Sequence, residues 1–285
     1  MAGPGTKSCA GLVLKRYEHL VHGRLIKRYK RFLADVRIGD EVVTVHCPNT
    51  GPMTGLLDRP EAPVLLSTSD NPKRKYRHTL EWIKPHREQD WVGVHSASAN
   101  AMCSALLEAG AVSSFGSYMS IKREVVIRKG SRVDFALELE GGDVLPVEVK
   151  SVTLARLGAG SEVAAGDDGD NAEQPGPPGA PHETARHVAV FPDTVSLRAQ
   201  KHVQELTEYA ASGKAGAARA GLLLLVQRGD CAAFEPGWQH DRAYARLLCE
   251  AGAGGRVAVV AVACRLRREQ GGGIAWRRWG RSLST

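Results

Sequence analysis

Residues 131 to 150 read Ser-Arg-Val-Asp-Phe-Ala-Leu-Glu-Leu-Glu-Gly-Gly-Asp-Val-Leu-Pro-Val-Glu-Val-Lys. Val133, Phe135, Leu137 and Leu139 alternate with Asp134, Ala136 and Glu138, and Leu145, Val147 and Val149 alternate with Pro146, Glu148 and Lys150. A period of two gives each strand one apolar and one polar face. Gly141-Gly142-Asp143 supplies a turn, so the stretch predicts a β-hairpin. Opposed residues of an antiparallel pair share a face. Any register that joins the two apolar faces therefore gathers Asp134, Glu148 and Lys150 on the other.

Two carboxylates at close range are hard ligands for a divalent cation such as Mg²⁺. A cation held there polarises a phosphate and acidifies a bound water, and Lys150 lies on the side from which it would position that water. Asp, then Glu-x-Lys on the next strand, is the arrangement of metal-dependent nucleases. The competing reading is a set of salt bridges on a solvated face. Pro146 weakens the strand assignment slightly, because proline removes a ladder donor.

The composition sets the frame. The 285 residues are 43% hydrophobic and 24% charged, a globular balance with room for two domains. The net charge of +7 and sequence pI of about 9.2 suit a polyanionic partner. Residues 158 to 186 hold six acids against one arginine, so the remainder of the chain is more basic still. The six cysteines (Cys9, Cys47, Cys103, Cys231, Cys249 and Cys264) are scattered, without a Cys-x-x-Cys motif or zinc spacing. They read as reduced thiols of an intracellular protein, cytoplasmic by default. No apolar run approaches the ~18 residues of a membrane span. Residues 1 to 21 read as an N-terminal extension without a secretory core, and their few bases leave organelle targeting open.

Residues 22 to 95 offer about five short strands with turn signals and almost no helix, the pattern of a small β-barrel. Arg24, Lys27, Arg28, Lys30 and Arg31 interleave with Tyr29 and Phe32. Bases attract phosphates and aromatic faces stack on nucleobases. The alternative is a strand with a solvated basic face. Lys73, Arg74 and Lys75 form a second basic cluster. If the two clusters share a face, that face is a phosphate track.

From residue 96 the pattern is helix (about Asn100 to Ala109), strand (Tyr118 to Arg128), the hairpin, a helix capped by Asp193 or Thr194 and running to about Ala211, a strand (Gly221 to Gln227), a helix (Asp241 to Ala251) and a strand (Val257 to Leu266). This order predicts a three-layer α/β domain over 96 to 270. Residues 158 to 186 are rich in Gly, Ala, Pro and acid without an aromatic, so a disordered insertion is expected. Residues 271 to 285 read as a loose basic tail.

Four collinear blocks resemble the sugar fermentation stimulation protein A family. They are Leu25 to Val36; His46-Cys47-Pro48-Asn49-Thr50-Gly51-Pro52-Met53; Ser131 to Phe135 with Val147 to Leu154; and Phe191-Pro192-Asp193 with Lys201 to Leu206. The resemblance implies an N-terminal all-β OB-like barrel and a C-terminal α/β restriction-endonuclease-like domain of the PD-(D/E)XK type. It implies DNA binding and a regulatory role in sugar utilisation. By position it carries the catalytic assignment to Asp134, Glu148 and Lys150, adds Glu124 as a further metal ligand, and places Arg198, Lys201 and His202 on the helix that faces the scissile phosphate. Two departures stand out. Ala105 occupies a position where many members have Glu, and the connector at 158 to 186 is long enough for its acids to screen the basic surface in an autoinhibitory way.

Three functions follow. The first is Mg²⁺-dependent hydrolysis of single- or double-stranded DNA, with Mn²⁺ as a substitute. The second is a DNA-binding regulator without turnover. The third is an RNA-binding or RNA-processing protein, since OB folds accept RNA as readily. The partner is nucleic acid rather than a membrane, and a monomer and a homodimer are equally open.

Overall fold

The structure is a computed structural model that describes residues 11–86, 90–128, 130–158, 187–212, 219–269 and 273–278. Strand β1 (Val13–Tyr17) precedes the barrel strands β2 (Leu20–Tyr29), β3 (Leu33–Ile38), β4 (Glu41–His46), β5 (Pro63–Thr68), β6 (His78–Ile83) and β7 (Val92–Gly93). Their order is β4-β3-β2-β5-β6-β7, and a parallel pairing of His46 with Thr79 joins β4 to β6. Five strands thus close on themselves, which removes the open edges of a sheet. A register shift in β2 between Leu25 and Lys27 supplies the curvature that closure needs. Leu25, Val36, Val45, Leu66, Leu80 and Ile83 fill the interior. This is the OB-like barrel expected.

The second domain comprises α1 (Ser98–Glu108), β8 (Tyr118–Arg128), β9 (Ser131–Leu139), β10 (Val144–Val152), β11 (Ala155–Leu157), β12 (His187–Phe191), α2 (Leu197–Ala211), β13 (Ala220–Val226), β14 (Cys231–Pro236), α3 (Arg242–Ala253), β15 (Val257–Arg268) and β16 (Ile274–Arg278). Its main sheet runs β1-β16-β15-β13-β10-β9-β8. The central strands β10, β13 and β15 are parallel. Parallel strands covered on both faces read as continuous apolar runs, and every residue of β13 is buried. One face carries α1, with Met102, Leu106 and Leu107 packed on Phe135, Val147 and Leu223. The other carries α2 and α3, with Val203, Leu206 and Leu248 packed on Leu222, Leu224 and Val226. This is the restriction-endonuclease-like layering expected.

Four boundaries differ from expectation. The supposed extension at 1 to 21 contributes β1, which pairs with β16 at the edge of the main sheet. The supposed loose tail contributes β16 itself, lodged between β1 and β15. A partner more than 250 residues away leaves no local signal, which is why the β1 end looked unstructured. The cap of α2 is Ser196, whose hydroxyl accepts the Ala199 N–H at 3.2 Å, rather than Asp193 or Thr194. Strands β11, β12 and β14 form a separate small sheet. The insertion lies outside the described residues beyond Gly158. Cys47, Cys103, Cys231, Cys249 and Cys264 are free thiols. Among the described residues no helix is long and apolar enough to cross a membrane.

Candidate active site

Strands β9 and β10 pair with Val144 opposite Glu138 and Val147 opposite Phe135, and there the ladder ends. Asp134 sits at the fork where the strands part. Its Oδ2 accepts the Val149 N–H at 2.8 Å, so a side chain replaces the missing strand partner. Its Oδ1 accepts the Asn100 amide of α1 at 2.7 Å.

The fork coincides with a change of face. The β8–β9 ladder joins Arg123 to Phe135 and Val125 to Val133 but skips the pair between them. Glu124, in that gap, has a left-handed φ of 50°. Ile121, Phe135 and Leu137 pack under α1, whereas Val125, Ile127 and Val133 pack under α2 and α3. In a regular strand residues two apart share a face, so the hairpin rolls over at Glu124 and Asp134. Asp134 is thereby held by α1 on one side and by the β10 backbone on the other.

Glu148 and Lys150 point toward α2. Lys150 Nζ lies 2.6 Å from Glu148 Oε1 and 3.4 Å from His202 Nδ1. His202 Nδ1 also bonds Glu148 Oε1. Both contacts fall on Oε1, which leaves Oε2 open. The three side chains are largely buried, at 6% exposure for Glu148, 13% for Lys150 and 17% for His202. A solvated salt bridge does not fit that burial. Burial pushes the Asp134 carboxyl above the usual aspartate range, and the nearby Glu148 charge adds to the rise. Burial also pushes Glu148 upward, but the His202 hydrogen bond and the Lys150 ammonium outweigh it and hold Glu148 below its usual range. Tyr244 of α3 is fully buried in the adjoining core, and its hydroxyl has no hydrogen-bond partner.

The remaining expected residues divide. Glu124 is exposed and ion-pairs with Arg132 at 3.3 Å; its left-handed backbone leaves it out of the Asp134–Glu148 pair. Arg198 is exposed one turn before His202, on the same helix face. Lys201 pairs with Glu205 at 3.6 Å, which Ser131 and Arg128 also hold. Asn100 was not expected at all. It lies on α1, and the packing of a helix against a strand fork leaves no mark in local sequence. Ala105 packs against the α1-side core and brings no oxygen to the site.

In the barrel, Leu33 pairs with His46 and His46 with Thr79. The first pairing is antiparallel and the second parallel, so the 30–32 and 69–77 turns leave this closure in opposite directions. Lys30 and Arg31 are exposed in one turn, and Lys73, Arg74 and Lys75 in the other. Arg74 donates to Thr79 Oγ1 at 3.0 Å. Arg28 has a different task. Its Nη2 donates to the carbonyls of Arg31, Asn49 and Gly51 at 2.6 to 2.8 Å, bracing the 47–53 loop. Tyr29 is half-buried and donates to Asp35 at 2.9 Å, and Lys27 pairs with the same carboxylate at 3.5 Å. Arg24 reaches the Glu61 carbonyl at 3.4 Å.

The 47–53 loop meets the second domain at a cleft of about 70 Å³ lined by Asn49, Gly51, Ser151, Thr153, Phe191 and Asp193, among others. Three of the four sequence blocks noted above thus converge on one seam beside Lys150. Among the described residues no group of three or more His, Cys, Asp or Glu side chains could hold a metal ion. Asp134 and Glu148 are the two carboxylates of this site, and each accepts two of the hydrogen bonds described above.

Comparison with known proteins agrees with this architecture. Residues 26–94 match the SfsA N-terminal OB domain, and residues 97–164 and 182–270 match the sugar fermentation stimulation protein RE domain. A sugar fermentation stimulation protein homolog of Synechococcus elongatus is 40% identical over 237 residues, covering 82% of this chain and 85% of the relative. The homolog of Maricaulis maris is 40% identical over 250 residues, covering 87% and 90%. That of Nostoc sp. is 41% identical over 245 residues, covering 84% and 86%. The structure of Pyrococcus furiosus SfsA in complex with Ca²⁺ superposes with a TM-score of 0.71 at 23% identity, covering 95% of this chain and 98% of that one. With both domains matched in order and relatives aligned over most of its length, the chain belongs to the sugar fermentation stimulation protein family.

Proposed function

We propose that the protein binds DNA through the basic turns of its barrel and hydrolyses its phosphodiester bonds at Asp134, Glu148 and Lys150 with a divalent cation. The observation that carries this reading is the buried contact of Lys150 with Glu148 Oε1, shared by His202, beside an Asp134 held by α1 and the β10 backbone. The donor set suits the cation. A carboxylate has about four lone-pair sites, so Asp134 keeps acceptor capacity beyond its two bonds, and Glu148 offers Oε2. Two carboxylates with waters completing the shell are a usual Mg²⁺ environment. The Pyrococcus furiosus relative was solved with Ca²⁺, which supports a divalent ion in this fold. Bound Mg²⁺, or Mn²⁺ in its place, would supply Lewis-acid polarisation of the phosphate and a more acidic water.

The chain's own groups do the rest. His202 and Lys150 pin Oε1, so Oε2 is aimed rather than free to rotate. Lys150 Nζ has further donors with which to hold the attacking water and meet charge developing on the phosphate. Arg198, one turn from His202, offers a guanidinium to the same phosphate. On the barrel, Lys30, Arg31, Lys73 and Lys75 contact backbone phosphates and give affinity that falls steeply with salt.

A second reading is a DNA-binding regulator that retains the fold without turnover. Ala105 favours it, since α1 brings no carboxylate to the site. RNA as the substrate is a third reading, carried by the barrel alone. One experiment separates the first two. Supercoiled plasmid and single-stranded DNA are incubated with Mg²⁺ or Mn²⁺ and wild type or Asp134→Asn, and binding is measured in EDTA. Metal-dependent nicking lost in the variant, with EDTA binding retained, supports hydrolysis. Salt-sensitive binding without cleavage by wild type supports the regulator.

A further inference from the structure

Three large apolar side chains stand out of the surface where α2 begins. Val195 is 63% exposed, Leu197 76% and Trp238 47%. Trp82, Trp91 and Trp276 are by contrast buried, so the exposure of Trp238 is not a general habit of this chain. The turn that carries it is fixed. Gly237 N–H donates to Phe191 O at 2.8 Å, and the His240 and Asp241 N–H groups return to Gly237 O at 3.0 and 2.9 Å. A Cβ at Gly237 would collide with Pro192 O, which shows how closely the turn is pressed on residues 191–193. Asp241 then ties this turn to α2. Its carboxylate accepts the Ser196 N–H at 3.0 Å and the Gln200 amide at 2.9 and 3.0 Å. The ring and the two aliphatic side chains are therefore mounted on one braced corner.

That corner adjoins the site. His202 lies five residues along α2 from Leu197, about 7.5 Å at the helical rise, and Arg198 shares its stripe. Both signs of charge meet at this corner, the Asp241 and Asp193 carboxylates beside exposed arginines. Arg198 and Arg242 are exposed in the first turns of α2 and α3, and neither first turn holds an acid. A flat aromatic face flanked by guanidinium groups suits a ligand with both planar rings and phosphates.

We propose that Trp238, with Val195 and Leu197, is a stacking platform for an unpaired nucleobase next to the Glu148–Lys150–His202 site, so that the preferred substrate is single-stranded or end-frayed nucleic acid. This rests on the function proposed above and adds the substrate class. A base inside a duplex has both faces covered by its neighbours, so only an unpaired base can lie on the indole. Stacking tolerates any base. A rigid mount keeps the ordering cost low.

The test is fluorescence anisotropy in EDTA with a labelled 12-nucleotide dT strand and a blunt DNA hairpin, across a salt series. Wild type, Trp238→Ala, Trp238→Phe and Arg198→Ala are compared. Trp238→Ala is expected to weaken dT binding about 5- to 100-fold with an unchanged salt slope, while hairpin affinity moves less than twofold. Trp238→Phe keeps most of the affinity. Arg198→Ala lowers the salt slope by about 1. Equal loss on both ligands, or no loss for Trp238→Ala, overturns the platform while leaving nucleic-acid binding intact. So does sedimentation showing that wild type self-associates through this corner and Trp238→Ala does not. Absence of any oligonucleotide binding by wild type sinks the functional reading itself, and the platform with it.

Discussion

The Arg228 guanidinium grips the Asp230 carboxylate at two points, Nε to Oδ1 at 2.7 Å and Nη2 to Oδ2 at 2.8 Å, with both side chains over nine-tenths buried. Arg228 also donates to Thr153 O at 3.1 Å, so the pair anchors the end of β10 just past the site. Breaking a buried pair leaves an uncompensated charge. Asp230→Asn should destabilise the fold by about 3 to 5 kcal/mol, read as the shift of the urea midpoint. A loss below about 1 kcal/mol would show that water already reaches the guanidinium.

Acid should weaken the fold in two stages. Burial holds His187 below 6.5, against the pull of Asp230. A histidine kept neutral in the folded state contributes stability that is present above its unfolded value and lost as pH falls below it. Burial pushes Asp230 up, but the Arg228 contact outweighs it and leaves the carboxyl below 3.8; that contribution is present above 3.8 and lost further down. Unfolding free energy is thus expected to decline as pH drops from 6.5, and again below 3.8. His187→Gln should reduce the first decline, leaving the share of His46 and His78, which burial also holds below 6.5, and spare the second.

Tyr244 is fully buried, and its hydroxyl meets no partner. Removing an unsatisfied buried polar group is close to neutral or stabilising. Tyr244→Phe should keep the edge-on contact with Phe191, whose ring centroid is 5.4 Å away. Its melting temperature should match or exceed that of wild type. A loss of more than about 1 kcal/mol would show that the hydroxyl holds a buried water.

Asn100 of α1 donates its amide to Asp134 Oδ1, a metal ligand in the proposed function. Loss of a side chain that orients a metal ligand typically costs about 10- to 100-fold in metal affinity or activity. Asn100→Ala should lower cleavage by that factor and leave DNA affinity in EDTA unchanged. Equal cleavage by the two proteins would mean that the Val149 N–H alone orients Asp134.

Glu81 knots the two domains together. It accepts from Tyr17 at 2.9 Å, from Ser67 at 2.7 Å and from His95 Nδ1 at 2.9 Å. The Tyr17 ring also stands edge-on to Trp82 with centroids 4.5 Å apart. Tyr17→Ala should cost about 3 kcal/mol and speed amide exchange in β1 and β16 relative to the barrel.

Regular alternation put Asp134, Glu148 and Lys150 on one polar face, and Glu148 and Lys150 do share one. Asp134 is placed differently, by the fork and roll-over that leave Val133 and Phe135 on opposite faces. His202 and Arg198 were carried by the family resemblance. What escaped depends on the third dimension. Asn100 acts through the angle between α1 and a strand fork. Glu124 looked equivalent to its neighbours, but its left-handed backbone turns the carboxylate to Arg132. Arg28 looked like its fellow bases, yet the carbonyls of the 47–53 loop absorb its donors. Strand β1 escaped because its partner lies at the opposite end of the chain.

The seam between β1 and β16, with Val13 opposite Arg277 and Tyr17 opposite Ile274, has a consequence for how the molecule is made. A strand made early pairs with one made more than 250 residues later. The barrel between them has its own core and local strand pairs, so it can finish while synthesis continues. The larger sheet cannot, because its outer strand waits, with its amide groups unpaired, for almost the whole chain to emerge. During that interval β1 is a sticky flap next to a completed barrel, and the Tyr17–Glu81 bond gives it a place to rest.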